Sequence, residues 1–314
     1  MPHSHFQRRL RLFRSYTGCP ATIAGRHWSV LDTAQPLIPA ASPGLAVLET
    51  RLLFACGQLD YRREDESLEE WANRRTCYPP LGIRYLVPEP EELQVSLHPY
   101  LVPQFVDQVL PRVEAEGAEV HGIAGLRARV HDRFVLLYRP GRAGRIRVRI
   151  SRRRWDQAAR HALRGVSHGN VPWLTHPDTW HPAETAFHDR YGYLRDCGPN
   201  GSAFLSGLLR RCHALNGNDY TQYWHLWGNR RRVELEWRGG VTHQSVLDRL
   251  LDPRHGLNAQ PDDPTRTCRC DDTTTDTFNE CFSIVLRTPG GISLNLRRHR
   301  PYEVEDQALA SRVG

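Results

Sequence analysis

Between Arg133 and Arg164 the polarity of the chain changes period twice. "RFVLLY" is apolar over a strand's length, "RPGRAG" supplies turn residues, and in "RIRVRI" Arg145, Arg147 and Arg149 alternate with Ile146, Val148 and Ile150. That period of two is the mark of a half-buried strand. In "SRRRWDQAARHALRG" the spacing becomes helical: Trp155, Ala158, Ala159, Ala162 and Leu163 fall on one face, Ser151 is placed to cap, and Gly165 to terminate. The segment therefore predicts strand, turn, strand, helix.

The same order returns twice. "YTQYWHLW", the turn residues Gly228 and Asn229, and "RRRVELEW" predict a hairpin, with Thr242 opening the helix "HQSVLDRLLD". "CFSIVLR", "TPGG" and "ISLNLR" predict a third hairpin, followed by a helix from Pro301. Three such units imply an α+β fold in which antiparallel hairpins form one or two sheets, each covered by helices.

Elsewhere the pattern is less regular. "LAVLETRLLFAC" (45–56) is an apolar run that predicts a buried strand or strand pair. Ser67 and Glu70 form a capping-box spacing that predicts a short helix over 67–75. "CYPPLGIRYLVPEPEE" is broken by prolines, and "PQFVDQVLPRVEAEG" predicts a helix that Pro111 must kink or interrupt. The tracts 168–182 and 258–277 are irregular. An N-terminal α+β region (1–120) carrying a basic arm and a region of three units (121–314) are expected, with a boundary near 120 or 170, or a single domain.

Composition then narrows the function. No stretch approaches the roughly 18 apolar residues of a membrane helix, so no membrane span is expected. The formal charge is +7, and all 42 basic residues are arginine. Without lysine the chain cannot form a Schiff base on a side chain, supply a P-loop or kinase lysine, or be tagged on a side-chain amine. Before Asp32 stand five arginines (Arg8, Arg9, Arg11, Arg14, Arg26), the bias of either a basic arm or first strand or a transit peptide, with no apolar core of a secretory signal after them. Eight dispersed cysteines without such a signal are expected to be mostly reduced thiols, and a cytoplasmic or nuclear location follows.

The arginines are the leading candidate site. On a strand, Arg145, Arg147 and Arg149 would stand about 7 Å apart on one face, near the phosphate spacing of a nucleic-acid strand. Arg139 and Arg142 in the turn and Arg152, Arg153 and Arg154 at the helix start widen the patch, the last three placing positive charge where a helix N-terminus disfavours it. Arg230, Arg231 and Arg232, beside Tyr223, Trp224, Trp227 and Trp237, form a second basic cluster. Such arginines suit RNA, single strands or another polyanion, although in a lysine-free chain every exposed basic position must be arginine.

Weaker readings remain. His181, Glu184 and His188, with Cys197, Cys212, His213 and His225 nearby in sequence, could supply zinc ligands, as could Cys268, Cys270 and Cys281, but neither group has a complete ligand spacing. Glu303 and Glu305 form an E-x-E pair after "TTTDT", an order that resembles ADP-ribosyltransferases, while acids in a helix's first turn explain it more simply. The leading expectation is a non-enzymatic nucleic-acid-binding protein. The alternative is a lysine-free viral or bacterial protein that engages a host or regulatory partner; a zinc-dependent or ADP-ribosylating enzyme comes third.

Overall fold

The computed structural model describes residues 5–30, 36–57, 79–113, 120–164, 178–195, 197–216, 221–229, 231–239, 241–262, 282–288 and 291–299. The expected helix at 67–75, the expected boundary near 170 and the helix after Pro301 lie outside them.

The chain opens with two helices, α1 (His5–Thr17) and α2 (Ala21–Val30), where a basic arm or first strand was expected. The reason is amphipathicity: Phe13, Tyr16 and Thr17 are buried while Arg8, Arg11 and Arg14 stay exposed. The apolar run that predicted a strand is α3 (Pro43–Cys56), with Pro43 at its first position. A run of this length fits either a strand or a buried helix, and leucine, alanine and glutamate favour the helix. From Leu45 to Cys56 only Val47 escapes full burial, as expected of a helix enclosed by the rest of the protein.

After it come β1 (Ile83–Pro88), β2 (Glu92–Leu97) and α4 (Val102–Val109). α4 ends where Leu110 turns extended (φ −77°, ψ 129°), because the residue before Pro111 is disfavoured in the helical region. The short pair β3 (Arg112–Val113) and β4 (Val120–His121) follows, then β5 (Arg127–Val130), β6 (Val135–Tyr138), β7 (Arg145–Val148) and α5 (Arg152–Arg164). The remaining elements are α6 (Pro182–Arg195), α7 (Gly198–Arg210), β8 (Thr221–Gly228), β9 (Arg232–Gly239), α8 (His243–Leu250), β10 (Gln260–Pro261), β11 (Phe282–Arg287) and β12 (Ser293–His299).

Two mixed five-stranded sheets carry the fold, in the orders β1-β2-β7-β6-β5 and β10-β11-β12-β9-β8. Their hairpins are antiparallel, whereas β2 runs parallel to β7 and β12 parallel to β9. Helices pack on the sheets, giving an α+β architecture. α3 reaches from one sheet to the other. At its start Gly144, in a left-handed conformation (φ 88°), lets the β6–β7 turn close on Leu45; at its end the Gly57 carbonyl accepts from Leu226 of β8. A continuous set of buried apolar side chains, including Leu48, Leu52, Ile146, Val148, Leu208, Leu235 and Leu296, joins both sheets through this helix. No described helix is long and apolar enough to cross a membrane.

Candidate nucleic-acid interface

Register determines which arginines share a surface. Across the β6–β7 hairpin, Arg145 faces Tyr138 and Arg147 faces Leu136, while across β2 the same two face Glu92 and Gln94. Ile146, Val148 and Ile150 point into the core. The backbone of Arg149 continues the pairing by donating to the Val95 carbonyl at 2.8 Å. Arg145, Arg147 and Arg149 therefore project from one sheet face, as their alternation implies. Arg129 of β5, Tyr138 of β6 and Phe134 just before β6 join them there, exposed or half-buried.

Two of the three are anchored. Glu92, buried at 5% exposure, accepts from Arg145 Nε at 2.7 Å and from Arg147 Nε and Nη2 at 2.6 and 3.0 Å. These guanidinium groups hold the Glu92 carboxyl below the usual range against its burial. The side chains nevertheless stay accessible, Arg145 at 55% and Arg147 at 33%. Arg147 lies over Phe134, 4.4 Å from the ring centroid, and Arg129 over Tyr138 at 5.4 Å. His131 stacks on Phe134 at 4.4 Å. Ring and carboxylate together fix the plane of Arg147, which removes rotamer freedom before any ligand arrives.

The rim is looser. Arg152 fastens the start of α5 to the preceding turn: its backbone N–H donates to Asp132, Nη2 donates to the Val130 carbonyl at 3.3 Å, and Nε stands 3.5 Å from the Asp132 carboxylate. Arg142, Arg149, Arg153 and Arg154 are exposed, and α5 has no acid in its first turn. Burial pushes the Cys19 thiol up to about 11 while Arg14 and Arg149 both oppose it.

The other expected site residues fall elsewhere. Arg139 is buried on the opposite face of β6, because Tyr138 is the residue that pairs with Arg145. Arg231 and Arg232 are exposed near the β8–β9 turn of the second sheet, Arg232 in an ion pair with Glu234; Arg230 lies outside the described residues. Trp237 is core, its indole N–H donating to the Val241 carbonyl at 2.9 Å.

Glu184 is buried and does structural work. It accepts from the Gly125 and His181 backbone N–H groups at 2.8 and 2.9 Å and from both Nη atoms of Arg127 at 3.0 and 2.7 Å. With Thr185 N–H donating to the His181 carbonyl, this caps α6, leaving Glu184 no acceptor site for a metal. His188 sits edge-on to Trp180. Among the described residues no three His, Cys, Asp or Glu side chains form a metal-holding group; Cys268, Cys270, Cys281, Glu303 and Glu305 lie outside them. Cys19, Cys56, Cys197 and Cys212 are buried. A cleft of about 370 Å³ beside α7 is lined by Ile38, Phe204, Arg210, Arg211, Asn258 and Thr288 among others, and no carboxylate, histidine or thiol is among its described lining residues.

The sequence pattern alone finds the arginine ladder. It also contains Phe134 and Tyr138 at the same period of two, which could have been placed opposite the ladder by folding the hairpin on its turn. Glu92 carries no such signal, since it arrives from a parallel strand 53 residues from Arg145. No family model, no curated protein and no solved structure matches this chain.

Proposed function

We propose that the open face of the first sheet binds single-stranded nucleic acid, with RNA the favoured form. The supporting observation is the joint placement of Arg129 and Arg147, whose guanidinium groups lie over the rings of Tyr138 and Phe134, beside the exposed Arg149, Arg153 and Arg154. Flat guanidinium planes accept stacked bases, and exposed arginines contact phosphates. Glu92 lowers the charge of the ladder but orients it, so the face is better suited to an unpaired strand than to a purely electrostatic grip. The cationic start of α5 gains a counter-charge when a phosphate is bound. No chemical step is assigned, and binding is the whole activity proposed.

The experiment is a titration at low salt of a labelled mixed-sequence single-stranded RNA against polyphosphate of equal charge. The RNA should bind more tightly, because only it carries bases, and Arg147→Met should narrow the difference. Equal affinity for the two polymers, or no binding of RNA, would refute the proposal.

A further inference from the structure

We propose that Arg139, flanked by Arg142 and Arg51, holds an oxyanion of the phosphate class at the inner side of the β6–β7 turn. This site is separate from the open sheet face and does not depend on it. Arg139 follows Tyr138 by one residue and so points the other way, with Val135 and Leu137, toward the helical layer. It is 7% exposed, and its guanidinium lies over Trp180 at 5.0 Å from the ring centroid. The indole lies against the cation, and Nε is buried with no hydrogen-bond partner. A buried cationic donor without a protein acceptor is costly, and native folds satisfy such a group with ordered water or with an anion.

Among the described residues no carboxylate fills this role. Glu184 is the acid whose charge reaches Arg139, yet its acceptor sites are taken by Arg127, Gly125 and His181. Two further described neighbours are cations: Arg51 comes from α3 at 8% exposure, and Arg142 from the same turn, its N–H donating to the Arg139 carbonyl at 3.1 Å. Burial first, then Arg51 and Arg142, push the Arg139 pKa down to about 10, so it remains cationic at neutral pH. The close packing of Ala143 on Gly44 and of Gly144 on Leu45 holds the turn against α3 and keeps these groups together.

The chemistry of the cluster selects the ligand. The edge of a guanidinium offers two parallel N–H groups, which fit two oxygens of a carboxylate or a phosphate. With further cations beside it, a group carrying more than one negative charge and a third acceptor oxygen is preferred, and at neutral pH that is a phosphate or phosphomonoester.

Thermal melting in potassium phosphate and in potassium chloride, matched in ionic strength and pH, tests the site with inorganic phosphate as the probe. The wild-type melting temperature should rise saturably in phosphate relative to chloride. Arg139→Met keeps an apolar stem on Trp180 and removes the unpaired cation. It should lose the phosphate response and melt in chloride no lower than the wild type. Arg142→Gln, an exposed position that leaves the core untouched, should diminish the response. Absence of a phosphate-specific rise in the wild type would overturn the proposal, as would a full rise in either variant. Because Arg139 faces away from the open sheet face, RNA affinity should be unchanged in Arg139→Met whichever way the phosphate result falls.

Discussion

Buried ion pairs carry much of this protein's specificity, and they are set by the fold and not by local sequence. Glu49 of α3 accepts from Arg210 Nε at 2.8 Å and Nη2 at 2.6 Å, and from Ser206 Oγ. Arg210 also donates to the Pro39 and Glu89 carbonyls, tying α7 to two other segments. Glu49 and Arg210 lie 161 positions apart, so nothing in the sequence around either announces the other. Removing one partner strands the other's charge, so Glu49→Gln or Arg210→Met should each cost about 3–5 kcal/mol by denaturant midpoint. An apolar pair of similar volume, Glu49→Leu with Arg210→Met, should recover part of that loss.

His213 is one source of acid sensitivity. Its Nε2–H donates to the Ile83 carbonyl at 2.8 Å, and burial depresses its pKa from 6.5 to about 4. A depressed folded-state pKa means that the unfolded chain takes up the proton first on acidification. The contribution is complete above the ordinary histidine range and is lost as pH falls from there toward the folded value. Over that window this group should remove about 3 kcal/mol of stability. His213→Gln should flatten the acid limb of a stability-versus-pH curve, and an unchanged limb would assign acid unfolding to other groups.

Elements with a local cap or a clear period were readable in advance. Helix α5 begins and ends where its polarity changes, and α8 is capped by Thr242, whose hydroxyl accepts from the Ser245 N–H at 3.2 Å. Thr242→Ala should destabilise the protein by about 1 kcal/mol in chemical denaturation, the ordinary cost of losing such a cap. α3 was not readable as a helix, because a segment buried all round has neither helical nor strand periodicity. The β1–β2 hairpin was hidden by Pro88 at a strand end and Pro90 in its turn, residues that read as breakers. Of the arginine ladder, the exposed face followed from alternation, while its aromatic supports needed the hairpin register and Glu92 needed the parallel pairing of β2 with β7.

The molecule as a whole joins two mixed sheets through one buried helix and leaves an arginine and aromatic face on the first. The absence of lysine makes the number of arginines a poor guide to function, because every basic position must be filled by one. Position is the better guide. Arg145 and Arg147 are held by Glu92, Arg139 is turned inward, and Arg149, Arg153 and Arg154 stand exposed around the start of α5. The most direct measurement is therefore the salt dependence of single-stranded RNA affinity for the wild type and for the triple variant Arg149→Glu, Arg153→Glu, Arg154→Glu, with circular dichroism to verify that the variant is folded. Three phosphate contacts correspond to a change of about 2 in the slope of log affinity against log salt, at roughly 0.7 per contact on a single strand. The account predicts a steep slope for the wild type that becomes shallower by about that amount, with weaker binding, in the folded variant. Equal slopes and affinities for the two proteins would contradict it.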